Sequence, residues 1–243
     1  MKKFQIGSSL LLAVVGGLLV SNSTAQAATL YSNGALNGSL NDWFIDAGDG
    51  SAVTNSFTLG SASTLTAVDF VVWVNTGDTP DTIDWAITSS DFGTVLPGAS
   101  AAAAPLSSTL QFTNDSAFGS YDVYDVSFSI PSVSLAAGTY WLQLQNGATA
   151  NLDLMGWDEN DGPSAAFSAT VIPGGGPPPY ADITSTINTV CSFYDNCTDT
   201  PQTGSETFQI EGTPEPGTVF TLLSGLLMVG GAAFYRNRRK TVC

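Results

Sequence analysis

The stretch Leu65 to Val74, with the sequence LTAVDFVVWV, is the clearest indication of how this chain folds. Its second half, Phe70 to Val74, is apolar at every position. A strand that is apolar on both faces is buried on both, whereas a strand at the surface keeps one polar face. We therefore predict that Leu65 to Val74 is a central strand of a β-sheet.

Other segments alternate between apolar and polar residues, as strands with one buried and one solvated face do. Within Tyr121 to Ile130, the apolar residues Val126, Phe128 and Ile130 alternate with polar ones, and Thr82 to Thr88 alternates in the same way. Helical periodicity is absent. The same criteria predict further strands at Ala52 to Leu59, Thr109 to Thr113, Gly138 to Gln145, Leu152 to Trp157, Ala165 to Val171 and Glu206 to Ile210.

The spacing of these strands, about 8–12 residues, is typical of an all-β domain. We predict one domain, residues 28–212, folded as an antiparallel β-sandwich of the jelly-roll-like or Ig-like type. Thr29 to Gly50 is predicted to form loops around one or two short strands, and Ala99 to Pro105 a loop of small residues. Pro173 to Pro179, PGGGPPP, cannot maintain a ladder of sheet hydrogen bonds and is predicted to be an exposed excursion.

The distribution of charge separates the ends of the chain from its middle. There are six Lys and Arg residues against 21 Asp and Glu, and no His. Every acidic residue lies between the basic ones, which are Lys2, Lys3, Arg236, Arg238, Arg239 and Lys240. Because nucleic acid binding depends largely on Lys and Arg contacts with phosphates, nucleic acid is excluded as a partner of this anionic middle.

The N-terminus has the pattern of a secretory signal peptide. Lys2 and Lys3 precede an apolar core, Leu10 to Val20, which is too short to span a bilayer comfortably. Ala25-Gln26-Ala27 then provides a small-residue cleavage site. We predict that residues 1–27 are removed on export, and the alternative is an uncleaved N-terminal anchor.

The C-terminus contains an uninterrupted apolar run, Thr218 to Tyr235, followed at once by four basic residues. As a helix this run is about 27 Å long, close to the hydrocarbon thickness of a bilayer. Basic residues beside a membrane helix favour the cytoplasmic side. We therefore predict that the preceding domain lies outside the cytoplasm and that the cytoplasmic side holds the basic cluster, which consists of Arg236, Arg238, Arg239 and Lys240. The alternative is a generic single-pass tail anchor.

Directly before this run stand Pro214, Glu215 and Pro216, which complete a tail of residues 213–240. Motif, apolar span and basic cluster in this order resemble the PEP-CTERM sorting signal of exported bacterial proteins. The resemblance implies that an exosortase, a membrane-embedded cysteine peptidase or transpeptidase, recognises the tail and cuts near the motif. It also implies a protein that is first anchored in the membrane and then released or attached at the cell surface. The prolines are expected to keep the motif extended and clear of the preceding fold.

Two of the three cysteines, Cys191 and Cys197, lie in the predicted exported part. Outside the cytoplasm a pair at this spacing is predicted to form a disulfide, which stabilises a small loop by about 2 kcal/mol. Cys243 is left unpaired. A metal site at Cys191 and Cys197 is the alternative, but neither His nor a third exported Cys is present to complete it.

The composition restricts the catalytic chemistry that the exported part can perform. With neither His nor Lys there, a Ser, Thr or Cys nucleophile has only carboxylates as a base. Paired carboxylates can hydrolyse glycosides, and the candidate groups are Asp81 with Asp84, Asp122 with Asp125, and Asp158 with Glu159 and Asp161. The alternative is that these acids are solvated on strand faces and turns.

The loop of Asp158, Asn160 and Asp161 carries the hard oxygen ligands that calcium prefers. Its spacing does not match the calcium-binding loop D-x-[DN]-x-[DN]-G. A structural calcium ion is therefore suggested by the chemistry of these ligands alone and not by a sequence motif. No other cofactor or metal is predicted.

A carbohydrate contact is the most specific binding hypothesis. In Gly138 to Gln145, alternation places Trp141, Gln143 and Gln145 on one face. If that face is solvated, an aromatic ring among amides can hold a sugar, and Trp157 extends the platform. The alternative is that Trp141 is covered, as large aromatic residues mostly are.

The sequence thus predicts a non-enzymatic exported protein of the cell surface, the extracellular matrix or a biofilm. Its predicted partners are an exosortase and the membrane. The alternative function is a carbohydrate-binding module associated with extracellular polysaccharide, and a third is a carboxylate-only glycosidase.

Overall fold

The computed structural model describes residues 27–36, 42–48, 50–116, 119–171, 183–187 and 205–215. All regular structure within these ranges is β, as predicted. The strands are β1 Ala28–Ser32, β2 Asp42–Phe44, β3 Ser51–Leu59, β4 Ser63–Asn75, β5 Pro80–Thr88, β6 Val95–Pro105, β7 Ser107–Ser116, β8 Gly119–Leu135, β9 Gly138–Thr149, β10 Met155–Asp158, β11 Ala166–Val171, β12 Ile183–Ile187 and β13 Phe208–Pro214. Across the described ranges there is no helix long and apolar enough to cross a membrane.

The described strands form two antiparallel sheets. The first has the order β1-β13-β4-β10-β2, with β8 paired to β4 and β7 paired to β8. The second has the order β12-β11-β3-β9-β5-β6. Strand β4 pairs with β8 on one side and with β13 and then β10 on the other. The prediction that Leu65 to Val74 is a central strand is therefore confirmed.

Aromatic side chains from both sheets meet in the largest hydrophobic cluster of the described residues. Trp85, on β5 of the second sheet, stacks on Phe128, on β8 of the first, with ring centroids 5.6 Å apart. Trp157 meets Phe70 and Phe208 edge to face, at 6.0 and 5.7 Å. All five rings are buried, so their removal from water joins the sheets into a sandwich-like body.

Most predicted strands are present, with boundaries that differ by a few residues. The predicted strand Leu152 to Trp157 starts later, at Met155, because the preceding residues form a turn in which Asn151 N–H donates to Asp78. The predicted strand Glu206 to Ile210 instead runs to Pro214. Its extension brings the start of the Pro-Glu-Pro motif into the first sheet.

The prediction of a loop at Ala99 to Pro105 is wrong, because these residues belong to β6, which pairs with β5. Ala99 and Ala104 are buried in the core, where their small side chains fit. Pro97 is tolerated because β6 is an edge strand and Pro97 lies at the register shift between Val95 and Ser100, where it has no register partner on β5.

Replacing Trp157 by Phe tests its role in the core. The indole Nε1 donates to the Thr207 carbonyl at 2.9 Å, so Trp157→Phe removes a buried hydrogen bond and leaves a void. We expect it to lower the free energy of unfolding by about 1–3 kcal/mol in urea titrations followed by circular dichroism. The matched control is Trp141→Phe, because Trp141 Nε1 is buried without a partner. Equal losses in the two variants would contradict this description of the core.

Candidate functional site

The outer face of the first sheet carries an open groove of about 530 Å³. Its walls come from strands β4, β7, β8 and β13 and from the segment Gly34 to Leu36. Because Phe70, Val126 and Phe208 point into the core, their neighbours along the strands point out into the groove. These outward neighbours include Asp69, Val71, Asp125, Ser127 and Gln209.

Two carboxylates, Asp69 and Asp125, lie on adjacent strands in the groove. Asp69 is paired with Ser127 and Asp125 with Val71, so the two acids are diagonal neighbours across β4 and β8. Such neighbours are about 7 Å apart, within reach of one small ligand. Burial raises the pKa of Asp69, and the charges of Glu211 and Asp125 raise it further. Burial also raises the pKa of Asp125.

The groove is suited to a polyhydroxylated ligand. Carboxylates accept hydrogen bonds strongly, and Ser107, Thr109 and Gln209 add hydroxyl and amide groups around them. No Lys, Arg or His lies in the described residues, so an anionic ligand would meet only repulsion here. Asp69 was missed by the reasoning from sequence. The signal that would have located it is the single charged residue inside the predicted strand Leu65 to Val74.

The acid pairs proposed from sequence do not assemble in this groove, apart from Asp125. Asp84 accepts hydrogen bonds from Ala103 N–H at 2.6 Å and Asn146 Nδ2 at 2.8 Å. Asp122 accepts from Gly77 N–H at 2.8 Å and the Thr113 hydroxyl at 2.6 Å. Both carboxylates are buried, and their hydrogen bonds connect neighbouring segments of the chain. We therefore assign them a role in stabilising the fold.

A second group of acids lies where β2, β10 and the start of β13 meet. Asp158 and Asp42 are paired across β10 and β2, and Glu159 forms a bridge with Glu206. Asp158 Oδ1 accepts from Trp73 Nε1 and its Oδ2 from the Thr207 hydroxyl, both at 2.7 Å. Neither carboxyl oxygen of Glu206 has a hydrogen-bond partner, although its side chain is fully buried.

Burial raises the pKa of each acid in this group. It raises the pKa of Asp42 to about 7, with further contributions from the charges of Asp158 and Glu159. Burial raises the pKa of Asp158 to about 6 against the opposing effect of its hydrogen bonds. The pKa of Glu206 is raised well above its ordinary value, first by burial and then by the charges of Glu159, Asp158 and Asp42. We refer to Asp42, Asp158, Glu159 and Glu206 as the buried acid group.

The structure does not bring the predicted calcium ligands together. Both oxygens of Asp158 accept protein hydrogen bonds. Asn160 is bonded to Asn33 O at 2.7 Å and to Gly162 N–H at 2.9 Å, and Asp161 points to solvent. Over the described part of the chain, no three His, Cys, Asp or Glu residues are grouped so that they could hold a metal ion.

The burial of the β9 residues does not fit the hypothesis of a solvated sugar platform and favours its alternative, a covered face. Gln143 and Gln145 are 1% and 3% exposed, and β9 lies between β3 and β5 in the second sheet. Trp157 is fully buried among core aromatic residues. Trp141 is only partly exposed. These four side chains therefore do not form one accessible surface.

Of the sorting motif, Pro214 and Glu215 are described and exposed. The remaining predicted site residues lie outside the described residues, and they are Pro216, Cys191, Cys197, Arg236, Arg238, Arg239 and Lys240. The apolar run Thr218 to Tyr235 and the signal peptide up to residue 26 also lie outside them.

No protein-family model matches this chain, and no curated protein matches it at a significant level. Its function is therefore inferred from its residues and their geometry.

The buried acid group predicts an unusual dependence of stability on pH. Asp42 and Asp158 have a pKa of 3.8 when unperturbed and about 7 and about 6 in the folded protein. Above pH 4 the unfolded chain releases these protons while the folded chain keeps them. The free energy of unfolding should therefore fall as pH rises from 4, by up to about 1.4 kcal/mol per pH unit for each group, until pH reaches about 6 for Asp158 and about 7 for Asp42.

Urea unfolding at a series of pH values measures this dependence. Glu206→Gln should flatten it, because it removes one proton that only the folded state retains. Asp81→Asn, a change at an exposed acid, should leave the slope unaltered. Stability that increases from pH 5 to pH 8 in the unmodified protein would contradict the prediction.

Proposed function

We propose that this chain is a non-enzymatic exported protein of the cell surface or extracellular matrix, anchored by its C-terminal tail and then processed there by an exosortase. The observation that carries the proposal is where the Pro-Glu-Pro motif lies relative to the body. Pro214 is the last residue of β13 and Glu215 follows it, and both are exposed. The motif thus begins at the end of the last described strand, as is expected of a processing signal that follows an ectodomain.

The terminal segments support the same proposal. The signal-peptide pattern of residues 1–27 favours export, and the apolar run Thr218 to Tyr235 with its basic cluster favours insertion in a membrane with the body outside. Cys191 and Cys197 are then in a compartment where a disulfide persists. The proposed partners are the membrane and an exosortase.

The proposed absence of enzymatic activity rests on the exported part lacking His and Lys. A Ser or Thr nucleophile has no nitrogen base there to activate it. A structural role requires no catalytic base. The high negative charge of the body keeps it soluble, because molecules of the same charge repel each other.

We propose that the body is of the jelly-roll-like rather than the Ig-like type. Successive strands β3, β4 and β5 alternate between the two sheets. They pair with strands from the second half of the chain, β3 and β5 with β9, and β4 with β8. A long hairpin folded over two sheets has this pattern, which favours a jelly roll.

Two epitope tags test the processing. One is inserted at Asp91, in the exposed turn between β5 and β6, and the other is added after Cys243. In an exosortase-containing host, we expect the two tags to separate onto different species. Replacing Pro214, Glu215 and Pro216 together by Ala should keep both tags on one membrane-bound chain, whereas Asp81→Ala should not. Both tags remaining on one full-length species in the unmodified protein would contradict the proposal.

A second function, binding of extracellular polysaccharide, is favoured by the groove on the first sheet. In this proposal the site is formed by Asp69, Asp125 and Gln209 rather than by the residues of β9. Carboxylates and amides supply hydrogen bonds to sugar hydroxyls, and Val71 provides an apolar base. The arrangement also supplies the acid pair across an open groove that a glycosidase needs.

Glycan-array binding of the purified protein tests this second function. A hydrogen bond to a charged group contributes about 1.5–3 kcal/mol, so Asp69→Asn with Asp125→Asn should weaken binding at least tenfold. Asp81→Asn is the matched control at an exposed acid outside the groove. Binding to no glycan, or equal binding by all variants, would contradict it. Release of new reducing ends would identify the pair as the carboxylates of a glycosidase instead.

A further inference from the structure

The last strand holds the beginning of the sorting motif on the sheet. After a register shift between Glu211 and Gly212, Thr213 is paired with Thr64 and Pro214 with Ser63 of β4. Glu215 N–H then donates to the Ala62 carbonyl at 2.9 Å. The sheet pairing therefore extends two residues into the motif, contrary to the expectation that its prolines keep it clear of the fold.

Gly212 allows this close approach. A Cβ at Gly212 would lie 2.2 Å from Thr64 O and 3.0 Å from Leu65 Cα, both of which are backbone atoms. Any larger residue must push the end of β13 away from β4. The β4 residues that receive it are themselves held from the other side, since Ser63 and Thr64 pair with Leu135 and Ser134 of β8.

A peptidase binds its substrate as an extended segment and must surround the bond that it cuts. A bond within a paired strand reaches the enzyme only when the strand opens locally, so its cleavage is slowed by the free energy of opening. The residues from Gly212 to Glu215 are protected in this way. The residues that follow Glu215 lie outside the described ones.

We propose that the folded body sets the N-terminal limit of processing. The first peptide bond that can be cut is the one that follows Glu215, and the mature protein therefore keeps Thr213, Pro214 and Glu215. This inference rests on the proposed processing by an exosortase. In that step the C–N bond breaks, and the carbonyl carbon takes the hydroxyl of water or the nitrogen of an acceptor amine. The departing nitrogen takes the proton.

Mass spectrometry of the protein recovered from an exosortase-containing host gives the position of the cut. We expect every mature species to contain Glu215. In Gly212→Ala the end of β13 is displaced, and species that end before Glu215 should appear. Gly60→Ala is the matched control, because a Cβ at Gly60 meets nothing within 4 Å, and it should be processed like the unmodified protein. A mature C-terminus before Glu215 in the unmodified protein would overturn the inference.

A prolyl endopeptidase that acts on intact proteins tests the limit without an exosortase. On the native full chain, we expect cleavage after Pro216 to be at least about tenfold faster than after Pro214, since the latter requires loss of sheet hydrogen bonds. In urea the two rates should become similar. Equal rates in the native chain would overturn the inference even if Gly212→Ala fails to fold. Failure of the host to process any variant would instead count against the proposed function alone.

Discussion

The described part of this protein has to fold with carboxylates and no positive side chain to pair with them. No ion pair between Asp or Glu and Lys or Arg is available, so each buried acid is accommodated in another way. Asp84 and Asp122 accept backbone N–H groups, and Asp158 accepts an indole and a hydroxyl. The carboxyl group of Glu206 has no hydrogen-bond partner, and burial raises its pKa, which favours the neutral form. Stability therefore depends on the apolar core between the sheets.

Strand β4 connects this core with both surfaces to which we assign a role. Its inward residues, such as Phe70, pack on aromatic rings in the core. Its outward Asp69 lies in the groove, beside Asp125 of β8. Its first residues hold the end of β13 and with it Pro214. The same strand thus positions both the groove and the end of β13, where the sorting motif begins. Both depend on the packing of β4 in the core.

The strands were predictable where one simple pattern applied. Alternation in Tyr121 to Ile130 and the apolar run at Phe70 to Val74 predicted their faces correctly, because burial of a sheet face imposes those patterns. Strand β6 was missed, since small residues and prolines carry no periodic signal. The site was harder, because Asp69 and Asp125 meet only through the register of β4 and β8. The polarity of Gln143 and Gln145 left a solvated face on β9 open as a hypothesis, whereas both side chains are buried on a strand that lies between β3 and β5.

The central claim is that positive side chains serve only the passage through the membrane and that the working protein is an anionic β body. Intact-mass measurement of the denatured mature protein, before and after treatment with trypsin, tests it most directly. Since trypsin cuts only after Lys and Arg, and all six lie at residues 2, 3, 236, 238, 239 and 240, the account predicts an unchanged mass. A mass that falls as terminal peptides are released would show that the basic segments remain, and would contradict the account.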